Sequence, residues 1–182
     1  KATTLAWSSS NTNLYLATAT SGGTAHTYVC NGSDVLASTD NFANATTISN
    51  PAAGVVLGIA SDGTNIYVAG TSGKVQKIAG ITVGSGTGNE WSMGGMAAGD
   101  GVWVANGYLI ASDGPRLTVL PSDGDEAVAH DITSASFPQV DTWSSVIGTP
   151  TGIYAAGIQG DRSRVYHIGI NDSTSALKSP VI

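Results

Sequence analysis

Apolar residues along this chain come in runs of about four to six, separated by polar turns rich in glycine, a spacing that predicts short β-strands. The cleanest stretch reads Leu57-Gly58-Ile59-Ala60, the turn Ser61-Asp62-Gly63, Asn65-Ile66-Tyr67-Val68-Ala69-Gly70, the turn Thr71-Ser72-Gly73, and Lys74-Val75-Gln76-Lys77-Ile78. Its last segment alternates polar and apolar residues, as a strand with one buried face requires. Asp-Gly and Gly-Gly pairs supply the positive φ angles that tight hairpins need.

The same order of segments recurs four times. Before and after the stretch at 57–78, it is found as Leu5-Ala6-Trp7, Asn13 to Thr18 and His26 to Val29; as Met96-Ala97-Ala98, Val102 to Ala105 and Leu117 to Leu120; and as Val146-Ile147-Gly148, Ile153 to Gly157 and Arg164 to Ile168. In the third copy, 106–114 reads as a long loop. Each central strand then carries an aromatic residue: Tyr15, Tyr67, Trp103 and Tyr154, spaced by 52, 36 and 51 residues. That spacing brackets the roughly 40–50 residues of a propeller blade. A small residue follows close behind each one (Ala17, Ala69, Ala105, Ala155), which suits the crowded centre of such a ring. The expected fold is therefore an all-β propeller with little or no helix, a single domain over 1–182. Its units are roughly 1–50, 51–88, 89–140 and 141–182. Outer strands are expected within Asp34 to Pro51 and Ser122 to Asp141. Four blades are visible, and they either close alone or form part of a larger ring.

Composition narrows the function more than it identifies it. Charged residues make up 11% of the 182, against about 25% in an average domain, and there are 24 glycines. Glutamate occurs only at 90 and 126 and lysine only at 1, 74, 77 and 178, so helices held by charge pairs are not expected. The net charge of −6 offers no basic stripe for a phosphate backbone, and nucleic acid is not an expected partner. The longest mostly apolar run, Ala52 to Ala60, is far short of the roughly 20 residues of a membrane-spanning helix. Cys30 is the single cysteine, which excludes an intramolecular disulfide and reads as a buried apolar residue. The start at Lys1 leads us to expect a processed chain or a segment of a longer polypeptide.

The segment SDGTNIYVAG followed by GKVQKI resembles the repeats of NHL-type propellers, in which an Asp-Gly turn precedes an aromatic strand. The low charge, the abundance of Ala, Gly, Ser, Thr and Asn, and the uneven unit lengths are similar to the propeller-bearing minor tail proteins of tailed bacteriophages. That second resemblance implies a structural part of the virion, at the tail tip, engaged in assembly or host attachment.

Candidate chemistry is sparse. Asp62, Asp100, Asp113, Asp123, Asp125 and Asp161 lie in loops or beside glycine, and Asp123-Gly124-Asp125-Glu126 comes nearest to a calcium loop without its full ligand set. Turn formation is the expected role of these carboxylates. His26, His130 and His167 match no zinc motif, although His26 and His167 fall in third strands of two copies. No nucleophile elbow, phosphate loop or dinucleotide fingerprint is present. Asn31, Asn44 and Asn171 begin N-x-Ser/Thr triplets by coincidence of composition. Trp7, Trp91, Trp103 and Trp143 are expected in the core, with stacking on sugars as the other use.

No catalytic, metal or cofactor-binding residue is assigned, and no cofactor is expected. The expected function is that of a non-enzymatic structural and adhesion module of a phage virion, within a larger assembly. Its expected partners are other tail proteins and a host-surface glycan. The alternative is a secreted or cell-surface lectin-like propeller that binds glycans.

Overall fold

The computed structural model describes residues 14–93, 96, 97, 100–120, 130–132, 140–150, 152–168, 170, 171, 176 and 177. Four antiparallel sheets follow one another along the chain, each a simple meander. The first comprises β1 (Tyr15–Ser21), β2 (Thr24–Asn31), β3 (Asp34–Ser38) and β4 (Thr46–Ile48). The second runs β5 (Val56–Ser61), β6 (Ile66–Gly70), β7 (Lys74–Ala79) and β8 (Thr82–Val83), with β9 (Glu90–Ser92) also pairing with β7. The third holds β10 (Val102–Ala105), β11 (Tyr108–Asp113), β12 (Arg116–Leu120) and β13 (His130–Ile132). The fourth is β14 (Thr142–Thr149), β15 (Gly152–Gln159) and β16 (Arg162–Ile168). A short pair, β17 (Ile170–Asn171) with β18 (Ala176–Leu177), follows. The fold is all-β, and no helix occurs among the described residues.

The core is divided into three clusters, one between each pair of consecutive sheets. Tyr28, Cys30, Val35 and Ala37 of the first sheet pack on Ile66, Val68 and Ile78 of the second. Ala69, Val75 and Trp91 of the second meet Val102, Leu109, Ala111 and Leu120 of the third. Ile110, Leu117 and Val119 of the third meet Trp143, Val146, Ile153, Ala155 and Ile168 of the fourth. Strand period explains the division, since successive side chains point to opposite faces. Within β6, Ile66 and Val68 face one neighbour while Ala69 faces the other. Hydrogen bonds cross the same joints. The Tyr28 hydroxyl donates to the Gly80 carbonyl at 2.9 Å, Ser61 Oγ to the Thr18 carbonyl at 2.7 Å, and the Trp143 indole to the Pro115 carbonyl at 3.0 Å. The first strands pack in succession, β1 on β5, β5 on β10 and β10 on β14.

Two sequence expectations are corrected. The aromatic set Tyr15, Tyr67, Trp103 and Tyr154 does not occupy one place in the repeat: Tyr15 and Trp103 lie on the first strands of their sheets, Tyr67 and Tyr154 on the second. The segment 106–114, read as a loop, contains strand β11. One cause underlies both. In a meander every strand resembles the next, so shifting a unit by one strand preserves its pattern of turns. The equivalent second strands carry Tyr28, Tyr67, Tyr108 and Tyr154, at intervals of 39, 41 and 46 residues (28 to 67, 67 to 108, 108 to 154). The turn that reveals β11 is Asn106-Gly107, with φ angles of 51° and 79°. Both central residues are in the left-handed region, as the favoured two-residue hairpin demands. The strand expected at Leu5 to Trp7 lies outside the described residues, and Met96 and Ala97 are not in a strand.

The two-sided burial also departs from the expected half-buried β7. Val75 on one face and Gln76 and Ile78 on the other are all fully buried. Gln76 is tolerated because its Nε2 donates to the carbonyls of Lys77, Gly84 and Asn89, pinning the loop before β9.

Ile153 fills the joint between the third and fourth sheets with no exposed surface. Ile153→Ala is expected to lower unfolding free energy by about 2–5 kcal/mol in urea titration. Gly107→Ala, forced into the left-handed region, is expected to cost roughly 1–2 kcal/mol in the same measurement.

Candidate functional site

The first strands of all four sheets contribute to one cavity of about 290 Å³. Tyr15 comes from β1, Leu57, Gly58 and Ile59 from β5, Val102 and Trp103 from β10, and Trp143 and Ser144 from β14. Asp100 and Gly101, just before β10, complete the wall. Gly58 permits the close approach of β5 to this segment, since a Cβ there would lie 3.1 Å from the Val102 nitrogen and 3.3 Å from Gly101 Cα.

Asp100 is a buried carboxylate with structural partners. One oxygen accepts from the Ala97 N–H and the other from the Gly114 N–H, both at 2.7 Å. It thereby ties the entry of β10 to the β11–β12 turn. Tyr15 and Trp103 are both partly buried and pack at the edges of two different clusters. Trp143 is fully buried, and its indole is anchored on Pro115. The cavity thus combines aromatic rings, aliphatic side chains and a few polar groups, the mixture found in small-ligand sites.

The other candidate residues are dispersed. Asp62 accepts from the Thr64 and Asn65 N–H groups at 2.8 and 2.6 Å, from the Asn65 amide and from the Tyr67 hydroxyl at 2.8 Å. It organises the β5–β6 turn. Burial works to raise its pKa, and these hydrogen bonds outweigh burial and hold it below the usual carboxylate value. Burial first, then the hydrogen bond to Asp62 and the charge of that carboxylate, raise the Tyr67 hydroxyl above its ordinary value. Asp40, not singled out in the sequence, is similarly lowered by hydrogen bonds from the backbone and side chain of Asn44 and from Ser38. Its signal was the Ser-x-Asp-x-x-x-Asn pattern at 38–44, which reads as a turn.

His26 lies on β2 and His167 on β16, so the two are not at equivalent places in their sheets. Each rests on a tyrosine, His26 at 5.9 Å from Tyr28 and His167 at 4.7 Å from Tyr154. His130 starts β13. Asp123, Asp125, Glu126 and Trp7 lie outside the described residues. Among those described, no three His, Cys, Asp or Glu side chains gather to hold a metal ion. Trp91 and Trp143 are core residues, which leaves Trp103 as the described tryptophan with a partly open ring. Asn44 spends its amide on Asp40. Cys30 is fully buried, and burial pushes its thiol up to about 12. No described helix is long and apolar enough to cross a membrane.

Sequence reasoning missed the part played by Leu57, Ile59 and Ser144. Each sits on the first strand of its sheet, and the slip in the copies holding Tyr15 and Trp103 hid the position they share with those residues.

Because Asp62 has a lower pKa folded than unfolded, its contribution to stability is present above an unfolded value of about 3.9 and is lost as pH falls through the folded value. Urea titrations between about pH 5 and pH 2 are expected to give a flatter stability curve for Asp62→Asn than for the parent chain. Cys30 is expected to resist alkylation by iodoacetamide at pH 8 in the native protein and to react once denaturant is added, as mass spectrometry would record.

No family model and no curated protein matches this chain. Among solved structures it is similar to a chain in the crystal structure of an active polycomb repressive complex 2 in the basal state. The TM-score is 0.56 and the identity 12%, over 90% of this chain and 38% of that one. It also matches Myxococcus xanthus glutaminyl cyclase, with a TM-score of 0.47 and 18% identity, over 93% of this chain and 75% of that one. The chain spans well under half of the first structure, and the likeness is one of fold.

Proposed function

We propose that the four sheets are blades of a β-propeller and that the protein is a non-enzymatic structural and adhesion module of a phage virion, at the tail. The observation that carries the scaffold reading is the shared cavity: first strands of all four sheets line it, as strands nearest a common axis would. The module reading rests on how the polar groups are spent. Asp40, Asp62 and Asp100 are committed to backbone and turn hydrogen bonds, which favours a rigid support over a reactive site. The tail assignment draws on the low charge and the wealth of small polar residues. Electron cryomicroscopy of particles propagated with a tagged copy tests it: label density at the tail is expected, and its absence from every part of the particle overturns the assignment.

A second reading, glycan binding, is favoured by the cavity wall itself. Tyr15 and Trp103 offer apolar ring surface beside the polar Ser144, a combination suited to a sugar. In a glycan array the parent chain is expected to retain at least one glycan, and Trp103→Ala to lose it by tenfold or more, corresponding to about 1.4 kcal/mol. No binding by the parent chain removes this reading and leaves the first intact.

A further inference from the structure

Two of the first strands break register at the cavity. β5 shifts between Val56 and Gly58, and β14 between Trp143 and Ser145. Leu57 and Ser144 are thus the extra residues of two β-bulges, and both line the cavity. Bulges gather at sheet edges and beside binding sites, where the extra residue re-aims a side chain. β1 and β10 are edge strands as well and pair without a shift, so edge position alone does not account for these two.

The cavity they shape carries one sign of charge. Asp100 is the one charged residue of its described wall. Its carboxylate accepts from the Ala97 and Gly114 N–H groups and, at 3.5 Å, from the Ser112 hydroxyl, all of them neutral donors. Among the described residues no ion pair reaches it, since the pair formed there is Lys74 with Glu90. A carboxylate 5% exposed to water and lacking a counter-charge favours a cation nearby. Gly101 brings an aromatic ring to the same place. A Cβ on it would lie 3.0 Å from Cζ2 and 3.2 Å from Cη2 of Trp103, so the indole rests over glycine backbone next to Asp100. Tyr15 adds a second ring from β1. Ring faces are electron-rich and attract cations. Ser144 gives its hydroxyl hydrogen to the Ala156 carbonyl at 3.3 Å and keeps lone pairs with which to accept from an N–H.

We infer that the cavity takes its ligand through a positively charged ammonium group, seated among the rings of Tyr15 and Trp103 and offsetting the charge of Asp100. An anion would meet that carboxylate with no basic side chain in the wall to answer it. The inference needs the cavity alone and goes beyond both readings of function, because the ammonium group can be carried by a free amine or by an amino sugar.

Nuclear magnetic resonance titration of the isotope-labelled parent chain tests it, followed at the Trp103 indole N–H, which is assigned by its loss in Trp103→Phe. Two pairs of probes are compared at about pH 6, where the sugar amine is charged. The first is choline with the uncharged isostere in which carbon replaces nitrogen, and the second is glucosamine with glucose. At least one cation is expected to bind about tenfold or more tightly than its neutral partner. Preference for choline alone identifies a free organic cation, and preference for glucosamine alone an amino sugar. Equal affinity within both pairs, or no shift with any probe at millimolar concentration, overturns the inference. Glucose binding as well as glucosamine, with no preference for choline, overturns it while leaving the glycan reading intact. Asp100→Asn is expected to abolish the preference for the cation. Because Asp100 also holds two backbone N–H groups, Gly101→Ala supplies a variant that keeps the carboxylate. Its Cβ displaces the Trp103 ring, and affinity for the cation is expected to fall several-fold with the circular dichroism spectrum retained. Unchanged affinity in both variants also overturns the inference.

Discussion

The structure depends on two-sided burial. Each interior sheet sends alternate residues of the same strand into two different cores, so neither face is free to meet water. The second sheet shows this most plainly, with Ile66, Val68 and Ile78 in one cluster and Ala69, Val75 and Trp91 in the next. An antiparallel sheet with one wet face can tolerate charge on alternate positions. A sheet with two dry faces cannot, and this accounts for a chain in which charged residues are only 11%. Polar groups that enter these faces bind the backbone, the Gln76 amide nitrogen through the carbonyls of Lys77, Gly84 and Asn89 and the Asp100 carboxylate through two N–H groups.

The same constraint makes the sheets interdependent. None has a core of its own, because each cluster is built from residues of two consecutive sheets. Stability is then carried by the joints, in the manner of repeat proteins whose units contribute mainly through their neighbours. The hydrogen bonds from Tyr28 to Gly80 and from Trp143 to Pro115 are cross-joint fasteners of the same kind. In each, an aromatic side chain of one sheet donates to a turn carbonyl of an adjacent sheet, satisfying its polar tip while the ring fills the joint.

Strand type and turn chemistry were legible in the sequence; strand order within the unit was not. Asp-Gly and Asn-Gly pairs mark hairpins by their φ requirements, which are local, so β5 to β7 could be read almost to the residue. Which strand begins a sheet is decided by pairing partners and by the joint between sheets. Residue pattern carries no trace of that choice when the first three strands of every sheet are all four to eight residues long and similarly punctuated by turns. Tyr15 therefore passed as the counterpart of Tyr67, although Tyr28 holds that strand. Leu57 and Ile59 stand on an opening strand in the sequence pattern as well, but reading Tyr15 and Trp103 as central-strand residues hides the cavity that all four share.

Two-sided burial also says where function can be sited. Side chains on the sheet faces are consumed by the joints, and substitutions there trade directly against stability. Freedom remains where the first strands converge. The cavity is bounded by backbone as much as by side chains, with Gly58 and Gly101 allowing strands to approach. The side chains that give it chemical character are a few rings and polar tips, Tyr15, Trp103 and Ser144 among them.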